Sequence, residues 1–300
     1  MKTIHIILVF SLLPFSLFAQ RDPLYAQYVT NPFVLNPAYA GLTNNMALAF
    51  LYRNQWNGME GSPQTINGNG HMSLRYNRMG AGFMFVEDRT GNTSVTEAMA
   101  AYSYQVSLTS GTQLSFGMQA GFANYKTDIS KVVPYDVTDP LFSSNSSSIV
   151  PRVGFGVIVK NDRLMAGLSV PRMLKSTVTE DGFSYAQYTQ HMYATAAYSF
   201  IVTERIRFRP STLIKFVKGA NPSVDLNASA IILENYQAGV MTRNFNTYGL
   251  FFQALIKGSF VLGYVFEVPT GKTVDVNFLT HEIAVGLRLK VLKFHEASLY

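Results

Sequence analysis

The sequence predicts an all-β protein: a transmembrane outer-membrane β-barrel of about 14 antiparallel strands, with a short N-terminal periplasmic or plug segment. Three observations predict it. The chain begins like an exported protein, it carries little charge, and apolar and polar side chains alternate along most of the remaining residues. Together they indicate a wall that separates lipid from a polar interior.

The first 19 residues have the pattern of a secretory signal peptide. Lys2 supplies the basic start, an apolar run extends from Ile6 to Phe18, and the small residue Ala19 comes next. Such a segment is removed during export. We therefore expect a signal peptide at 1–19, a mature chain from Gln20, and an outer-membrane location. An uncleaved membrane anchor is the alternative.

Composition limits the classes of protein that remain. Charged residues make up 14% of the chain, whereas a soluble domain carries roughly 25%. There are 17 Tyr and 22 Phe but no Cys, which excludes disulfides and thiol catalysis. The net charge of +6 comes from scattered basic residues, so nucleic-acid binding is not predicted. We interpret these charges as facing the lumen, the membrane interface and lipopolysaccharide, with outer-membrane lipid around the wall.

Period-two alternation is the main structural signal. In 114–123, Leu, Phe, Met, Ala and Phe alternate with Ser, Gly, Gln, Gly and Ala. The stretches 206–216, 259–267 and 282–290 repeat this pattern of one apolar and one small or polar face. A soluble β-sandwich, the alternative, would carry many Lys and Glu on its outer face. The scarcity of charge on the apolar face favours the membrane barrel.

Segments with this pattern divide the chain at 45–300 into strands. The predicted strands are 45–56, 66–77, 79–88, 93–107, 112–125, 150–160, 162–170, 191–203, 204–218, 223–234, 236–244, 246–257, 259–268 and 280–292. Links after even-numbered strands are tight, and the long ones, 57–65, 126–149, 171–190 and 269–279, come after odd-numbered strands. Bacterial barrels have short periplasmic turns and long external loops, so this sorting predicts the topology.

Residues 20–44 precede the first strand. Asp22-Pro23 and Asn36-Pro37 each place a capping side chain before a Pro suited to the first helical position, and Gly41 suits a helix end. We expect one or two short helices, or a plug-like segment, packed in or under the periplasmic mouth. A tether without any gating role is the alternative.

Several motifs are similar to those of one family. They are Asp22-Pro23, Gln27-Tyr28, Asn36-Pro37-Ala38-Tyr39-Ala40-Gly41, Tyr52-Arg53-Asn54-Gln55-Trp56-Asn57-Gly58, Gly61-Ser62-Pro63-Gln64-Thr65, Glu87-Asp88-Arg89-Thr90-Gly91, Leu114-Ser115-Phe116-Gly117 and Thr280-His281-Glu282-Ile283. In this order, along nearly the whole mature chain, they resemble the PorP/SprF family of Bacteroidota. The resemblance implies an outer-membrane component of type IX secretion and gliding motility, not an enzyme. Its implied partners are secretion components or a secreted surface adhesin, held or exported through protein–protein contact.

The signature residues have structural roles that the sequence suggests. Trp56 suits the aromatic girdle, Gly58, Gly61 and Pro63 shape a tight loop, and Arg53 is placed to anchor the N-terminal segment through backbone carbonyls. His281 and Glu282 are expected to pair with charges in the lumen. The other signature positions, for structure or partner contact, are Asn36, Pro37, Ala38, Tyr39, Gly41, Tyr52, Gln55, Asp88 and Gly91.

External contacts are predicted on the two longest loops, where aromatics lie among Ser and Asp. These candidates are Tyr135, Phe142, Phe183, Tyr185 and Tyr188. Loops that merely cover the barrel mouth are the alternative. No catalytic, cofactor-binding or metal site is predicted.

Fourteen predicted strands after an N-terminal segment that ends in Asn36-Pro37-Ala38 also resemble, more distantly, the long-chain fatty-acid transporter family. This resemblance implies passage of hydrophobic small molecules across the outer membrane. It predicts a continuous apolar tunnel with a lateral opening at a kinked strand. The secretion hypothesis predicts instead a lumen blocked by side chains or by residues 20–44.

Overall fold

The computed structural model describes residues 26–43, 45–74, 78–109, 111–128, 146–174, 176–180, 183–188, 190–271, 274 and 276–290. The strands are β1 (Asn45–Asn54), β2 (Gln64–Leu74), β3 (Met79–Thr90), β4 (Thr93–Thr109), β5 (Thr112–Thr127), β6 (Ser146–Lys160), β7 (Leu164–Val170), β8 (Ser176–Glu180), β9 (Phe183–Tyr188), β10 (His191–Tyr198), β11 (Phe200–Thr203), β12 (Ile206–Val217), β13 (Ser223–Ile232), β14 (Tyr236–Arg243), β15 (Thr247–Ile256), β16 (Phe260–Pro269) and β17 (Thr280–Lys290). The predicted signal peptide at 1–19 lies outside the described residues.

The strands form one closed antiparallel barrel. Each wall strand pairs with its neighbours in the chain, β1 pairs with β17, and β10 pairs with both β7 and β12. Because β10 and β11 form one wall strand interrupted at Ser199, the wall has 14 positions, as predicted.

A proline explains the interruption. Pro210 lies in β12 between Ser211, which pairs with Ala197, and Phe208, which pairs with Phe200. Proline has no N–H to donate to a ladder, so pairing is weakened around it.

The alternation has the predicted consequence for the two faces. Outward side chains such as Phe83, Phe122 and Leu168 are exposed, and inward ones such as Ser115 and Gln119 are buried. Lipid supplies the environment for the first set, since alternate residues of a membrane barrel face hydrocarbon.

All the longest connections lie at one end of the barrel, and every connection at the other end is short. Short turns come after β2, β4, β6, β11, β13 and β15, and the longest links come after β1, β5, β7 and β16. We call these the short-turn end and the long-loop end. By the rule for bacterial barrels, the short-turn end faces the periplasm. One detail differs from the prediction: the link 171–190 contains the β8–β9 hairpin rather than loop alone.

Within the described residues, no helix is long and apolar enough to cross a membrane. The helices that do occur are three short 3-10 helices, Ala26–Val29, Pro32–Val34 and Pro37–Tyr39. Their segment, residues 26–43, lies inside the barrel, where Phe33, Ala38 and Ala40 are almost completely buried. We call residues 26–43 the plug.

Candidate functional site: the plugged lumen

Asn36 fixes the path of the plug. Its side-chain Oδ1 accepts a hydrogen bond from the Ala38 N–H at 3.0 Å, which caps the third 3-10 helix, and Pro37 occupies the first helical position. Its Nδ2 donates to the carbonyls of Val157, at 3.3 Å, and Leu168, at 3.2 Å. One side chain therefore shapes the plug and ties it to β6 and β7.

Small residues on the inner wall make room for the plug backbone. A Cβ added at Gly117 would overlap the backbone of Pro37 and Ala38, and one added at Gly80 would overlap that of Ala40. Next to these glycines, Ser115 Oγ donates to the Ala38 carbonyl at 2.6 Å. Ser103 Oγ likewise donates to the Ala40 carbonyl at 2.7 Å. The plug thus rests directly on β3, β4 and β5.

The plug runs along the barrel rather than across one mouth. At its start, the Ala26 N–H donates to Glu282 Oε2 at 3.0 Å, near the long-loop end of β17. At its finish, the Leu42 carbonyl accepts from Lys160 Nζ at 3.3 Å, at the short-turn end of β6. The expected packing in or under the periplasmic mouth therefore describes only the last part of the plug. The rest fills the lumen as far as its outer half.

A buried charge network holds the outer half of the plug. Arg53 contacts Glu267 at 2.5 Å and Glu282 at 2.8 Å, and all three side chains are at most 2% exposed. Arg243 pairs with Asp225 at 3.1 Å. The plug joins this network at its start, because Glu282 also accepts the Ala26 N–H.

Tyr28 connects the plug to the same network. Its hydroxyl lies 3.4 Å from Asp225 Oδ2 and accepts from Asn227 Nδ2 at 2.9 Å.

Arg53 acts through the carboxylates of Glu267 and Glu282, and not through the backbone carbonyls that the sequence suggested. Charges removed from water are stable only when paired and hydrogen-bonded, which these contacts provide.

A second charge cluster closes the lumen near the long-loop end. Arg172, just after β7, contacts Glu97 at 2.6 Å, and Arg152 lies 3.5 Å from the same carboxylate. Arg152 also contacts the Tyr125 hydroxyl. The chain leaving β7 is drawn inward, since the Pro171 carbonyl accepts from Gln119 Nε2 at 2.8 Å.

The signature loop after β1 is a compact turn against β17 and the β3–β4 turn. Trp56, Gly58 and Gly61 have positive φ angles of 57°, 94° and 68°. The Trp56 N–H donates to Thr280 Oγ1 at 3.2 Å, and the Gly91 N–H donates to the Gly61 carbonyl at 2.9 Å. The left-handed conformation at the two glycines costs little, because glycine lacks Cβ.

Other signature residues also take part in this loop. The Gln55 N–H donates to the Pro63 carbonyl at 2.9 Å. Thr65 Oγ1 donates to Asp88 Oδ1 at 2.5 Å, which joins β2 to β3. Tyr52 is half-buried and lies opposite Ile66 and Ile283 in the ladder, on the outward-facing side.

The remaining sequence candidates are scattered. Glu282 points into the lumen, but His281 occupies the opposite side of β17, where its Nδ1 lies 2.8 Å from the Tyr264 hydroxyl. Tyr135 and Phe142 lie outside the described residues. Phe183, Tyr185 and Tyr188 belong to β9. Among the residues that the structure describes, no group of His, Cys, Asp and Glu is arranged to hold a metal ion.

Sequence reasoning named Ser115 and Gly117 only as part of a family motif, and it assigned no role to any of the small residues that seat the plug. Gly80, Gly156, Ser103 and Ser115 occupy inward positions of the alternation, where they looked like ordinary polar-face residues. The detectable signal was a run of Gly and Ser at inward positions of adjacent strands. Such a run indicates close approach of another backbone.

Asn36 offers a test of plug anchoring. Because Asn36→Ala removes one cap and two buried wall contacts, we expect it to lower the free energy of unfolding by about 2 kcal/mol. Asn31→Ala is the matched control: Asn31 also precedes a Pro, but its side chain makes no capping hydrogen bond and donates instead to Asn69 Oδ1 at 3.1 Å. Urea unfolding in detergent micelles would compare the two variants. Equal losses would contradict the role of Asn36.

These features define a class of protein: an outer-membrane β-barrel whose own N-terminal segment fills its lumen. A sequence model of the family described as "Type IX secretion system membrane protein PorP/SprF" matches residues 17–287. The chain therefore belongs to this family of secretion membrane proteins. The match confirms the predicted resemblance.

Solved structures of low sequence identity share the barrel fold. The "CymD monoaromatic hydrocarbon channel" is 10% identical with a TM-score of 0.50, covering 88% of this chain and 92% of that one. A Pseudomonas aeruginosa FadL homologue has 10% identity and a TM-score of 0.44, covering 82% and 88%. KdgM porin has 10% identity and a TM-score of 0.39, covering 82% and 99%. These likenesses concern the fold alone. No curated protein matches the sequence.

Proposed function

We propose that the protein is a plugged partner barrel of type IX secretion that supports export or surface attachment of a secreted protein, such as an adhesin, through protein–protein contact. The observation that carries the proposal is the occupied lumen. Residues 26–43 contact the inner wall from β17 through β6 with buried and partly buried hydrogen bonds. A barrel filled in this way is suited to holding a partner rather than to conducting solutes.

The long-loop end supplies the contact surface in this proposal. The strands β4, β5 and β6 contain 17, 16 and 15 residues, whereas a tilted crossing needs about 9–11. The surplus length carries their hairpins beyond the hydrocarbon layer. The β8–β9 hairpin, whose strand β9 includes the three aromatic candidates Phe183, Tyr185 and Tyr188, adds a second ordered element after β7. Aromatic residues are enriched at protein interfaces.

A deletion strain tests the proposal. The protease-accessible surface proteins of intact cells would be compared among the wild type, the deletion strain and strains complemented with either the full chain or a chain lacking residues 176–188. We expect one or a few surface proteins to be lost on deletion and restored by the full chain. The shortened chain should reach the outer membrane in equal amount without restoring them.

The alternative function, transport of hydrophobic small molecules, would be supported by a different result. A deletion strain with unchanged surface proteins and reduced uptake of an apolar solute would favour it. In planar bilayers, the purified wild-type barrel should show no conductance of small ions if the plug stays in the lumen. Steady conductance of a porin-like size would contradict a closed lumen.

A further inference from the structure

The short-turn end of the barrel is strongly basic. The turns there, and the four residues of each strand nearest to that end, carry eight described basic residues. They are Arg78, Lys160, Arg163, Arg205, Arg207, Arg209, Lys257 and Arg288. The same region has three described acidic residues, Asp162, Glu204 and Glu234. The charge of the protein is therefore concentrated at the end that faces the periplasm.

Three of these basic residues face the lumen and surround the end of the plug. Arg209 lines a cavity with Asn36 and Ile158, and Arg288 lines another with Tyr39 and His71. Both guanidinium groups interact electrostatically with the Tyr39 phenol. Lys160, whose ammonium donates to the Leu42 carbonyl, interacts with Arg209 in the same way. We call Lys160, Arg209, Arg288 and Tyr39 the basic vestibule.

The vestibule lacks the compensating carboxylates found elsewhere in the lumen. The buried acids Glu97, Asp225, Glu267 and Glu282 all lie toward the long-loop end and pair with arginines there. In the described part of the chain, no carboxylate forms an ion pair with Arg209 or Arg288. Asp162, in the adjoining turn, interacts with Lys160 only at longer range.

The geometry also excludes one ordinary explanation for this charge, contact with lipid headgroups. The three side chains are directed inward, so they do not serve lipid headgroups around the wall. The plug packs against the wall beside the vestibule, where Ala38 and Ala40 are completely buried. An anion that approaches the end of the plug from the periplasm meets the Arg209 and Arg288 guanidinium groups, each in its own cavity, and the Lys160 ammonium beside the Leu42 carbonyl. Such groups bind carboxylates well, with arginine able to do so in a bidentate manner.

We propose that the basic vestibule is a binding site for an acidic peptide segment of a periplasmic protein. The site admits carboxylate side chains or a chain terminus from the short-turn end. The exposed residues Arg205 and Lys257, in the turns at the rim, increase the rate of encounter by attracting acidic chains. This site is at the opposite end from the proposed cargo surface, and it does not depend on what the long loops contact.

The test uses the purified full-length protein in detergent and a fluorescent octaglutamate peptide, with octaglutamine as the neutral probe. The variant Arg209→Gln/Arg288→Gln removes two vestibule charges. The matched control, Arg205→Gln/Lys257→Gln, removes two charges from exposed turns. We expect octaglutamate, but not octaglutamine, to bind the wild type. The vestibule variant should lose about tenfold or more in affinity, and the control about twofold or less, at a fixed salt concentration.

Two results would overturn the proposal. One is equal loss of affinity in the vestibule and control variants, which would indicate only a diffuse charge effect. The other is displacement of the peptide by inorganic phosphate at matched charge concentration, which would indicate a site for small anions. Retained β-sheet circular dichroism and heat-modifiable migration would show that both variants are folded. Should the vestibule double variant fail to fold, Arg288→Gln alone against Lys257→Gln gives the same comparison.

Discussion

Replacing Gly117 by alanine should loosen the plug and lower the free energy of unfolding by about 1–3 kcal/mol, the usual range for overpacking a close-packed site. A single added methyl group at this position overlaps the backbone N and Cα of Ala38. Backbone cannot rotate away as a side chain can, and β5 is held in the wall by its ladders to β4 and β6. The plug must therefore move.

The measurement combines urea unfolding in detergent micelles with ion conductance in planar bilayers. Gly68→Ala is the matched control, because a Cβ at Gly68 meets nothing within 4 Å. Gly68→Ala should change the free energy of unfolding by less than about 0.5 kcal/mol, and the barrel should still conduct no ions.

Gly156→Ala provides an intermediate case. Its Cβ would overlap Oδ1 of the Asn36 side chain, which can rotate at the cost of its hydrogen bonds. We expect its effect to lie between those of the other two variants. If all three variants unfold alike and none conducts, the wall glycines do not seat the plug.

The fold was predictable because its physical cause is local. Side chains two residues apart share a face, so 114–123 alone shows a lipid side and a lumen side. The alternation of short and long links then fixed the topology. The break at Ser199 was harder to predict, because it depends on Pro210 in the next strand. Neither strand's sequence alone shows which of its residues pair with the other strand.

The lumen contacts were less predictable because they join residues far apart in the chain. Arg53 meets Glu267 and Glu282, more than 200 residues away, only after β1 closes the barrel against β17. The sequence identified Arg53 and Glu282 by the family motif but could not pair them. His281 is a different case: adjacent residues of a strand face opposite sides, so the expectation that both His281 and Glu282 pair in the lumen conflicted with the alternation itself.

Arg53→Met should have the largest effect of the substitutions considered. Removing one partner of a buried ion pair leaves an uncompensated charge and costs about 3–5 kcal/mol. Here the loss affects two carboxylates at once, Glu267 and Glu282, both 2% exposed or less. Glu282 also accepts the Ala26 N–H, so the start of the plug should be released as the wall is destabilised.

Arg89→Met is the matched control. Arg89 lies 2.6 Å from Glu87, but its side chain is 65% exposed. An exposed pair of this kind contributes less than about 1 kcal/mol. Urea unfolding in detergent micelles should therefore separate the two variants by several kcal/mol. Adding Glu282→Gln to Arg53→Met removes one of the stranded charges and should recover part of the loss. Equal destabilisation by Arg53→Met and Arg89→Met would show that the lumen around Arg53 is open to water, so that this network does not hold the plug.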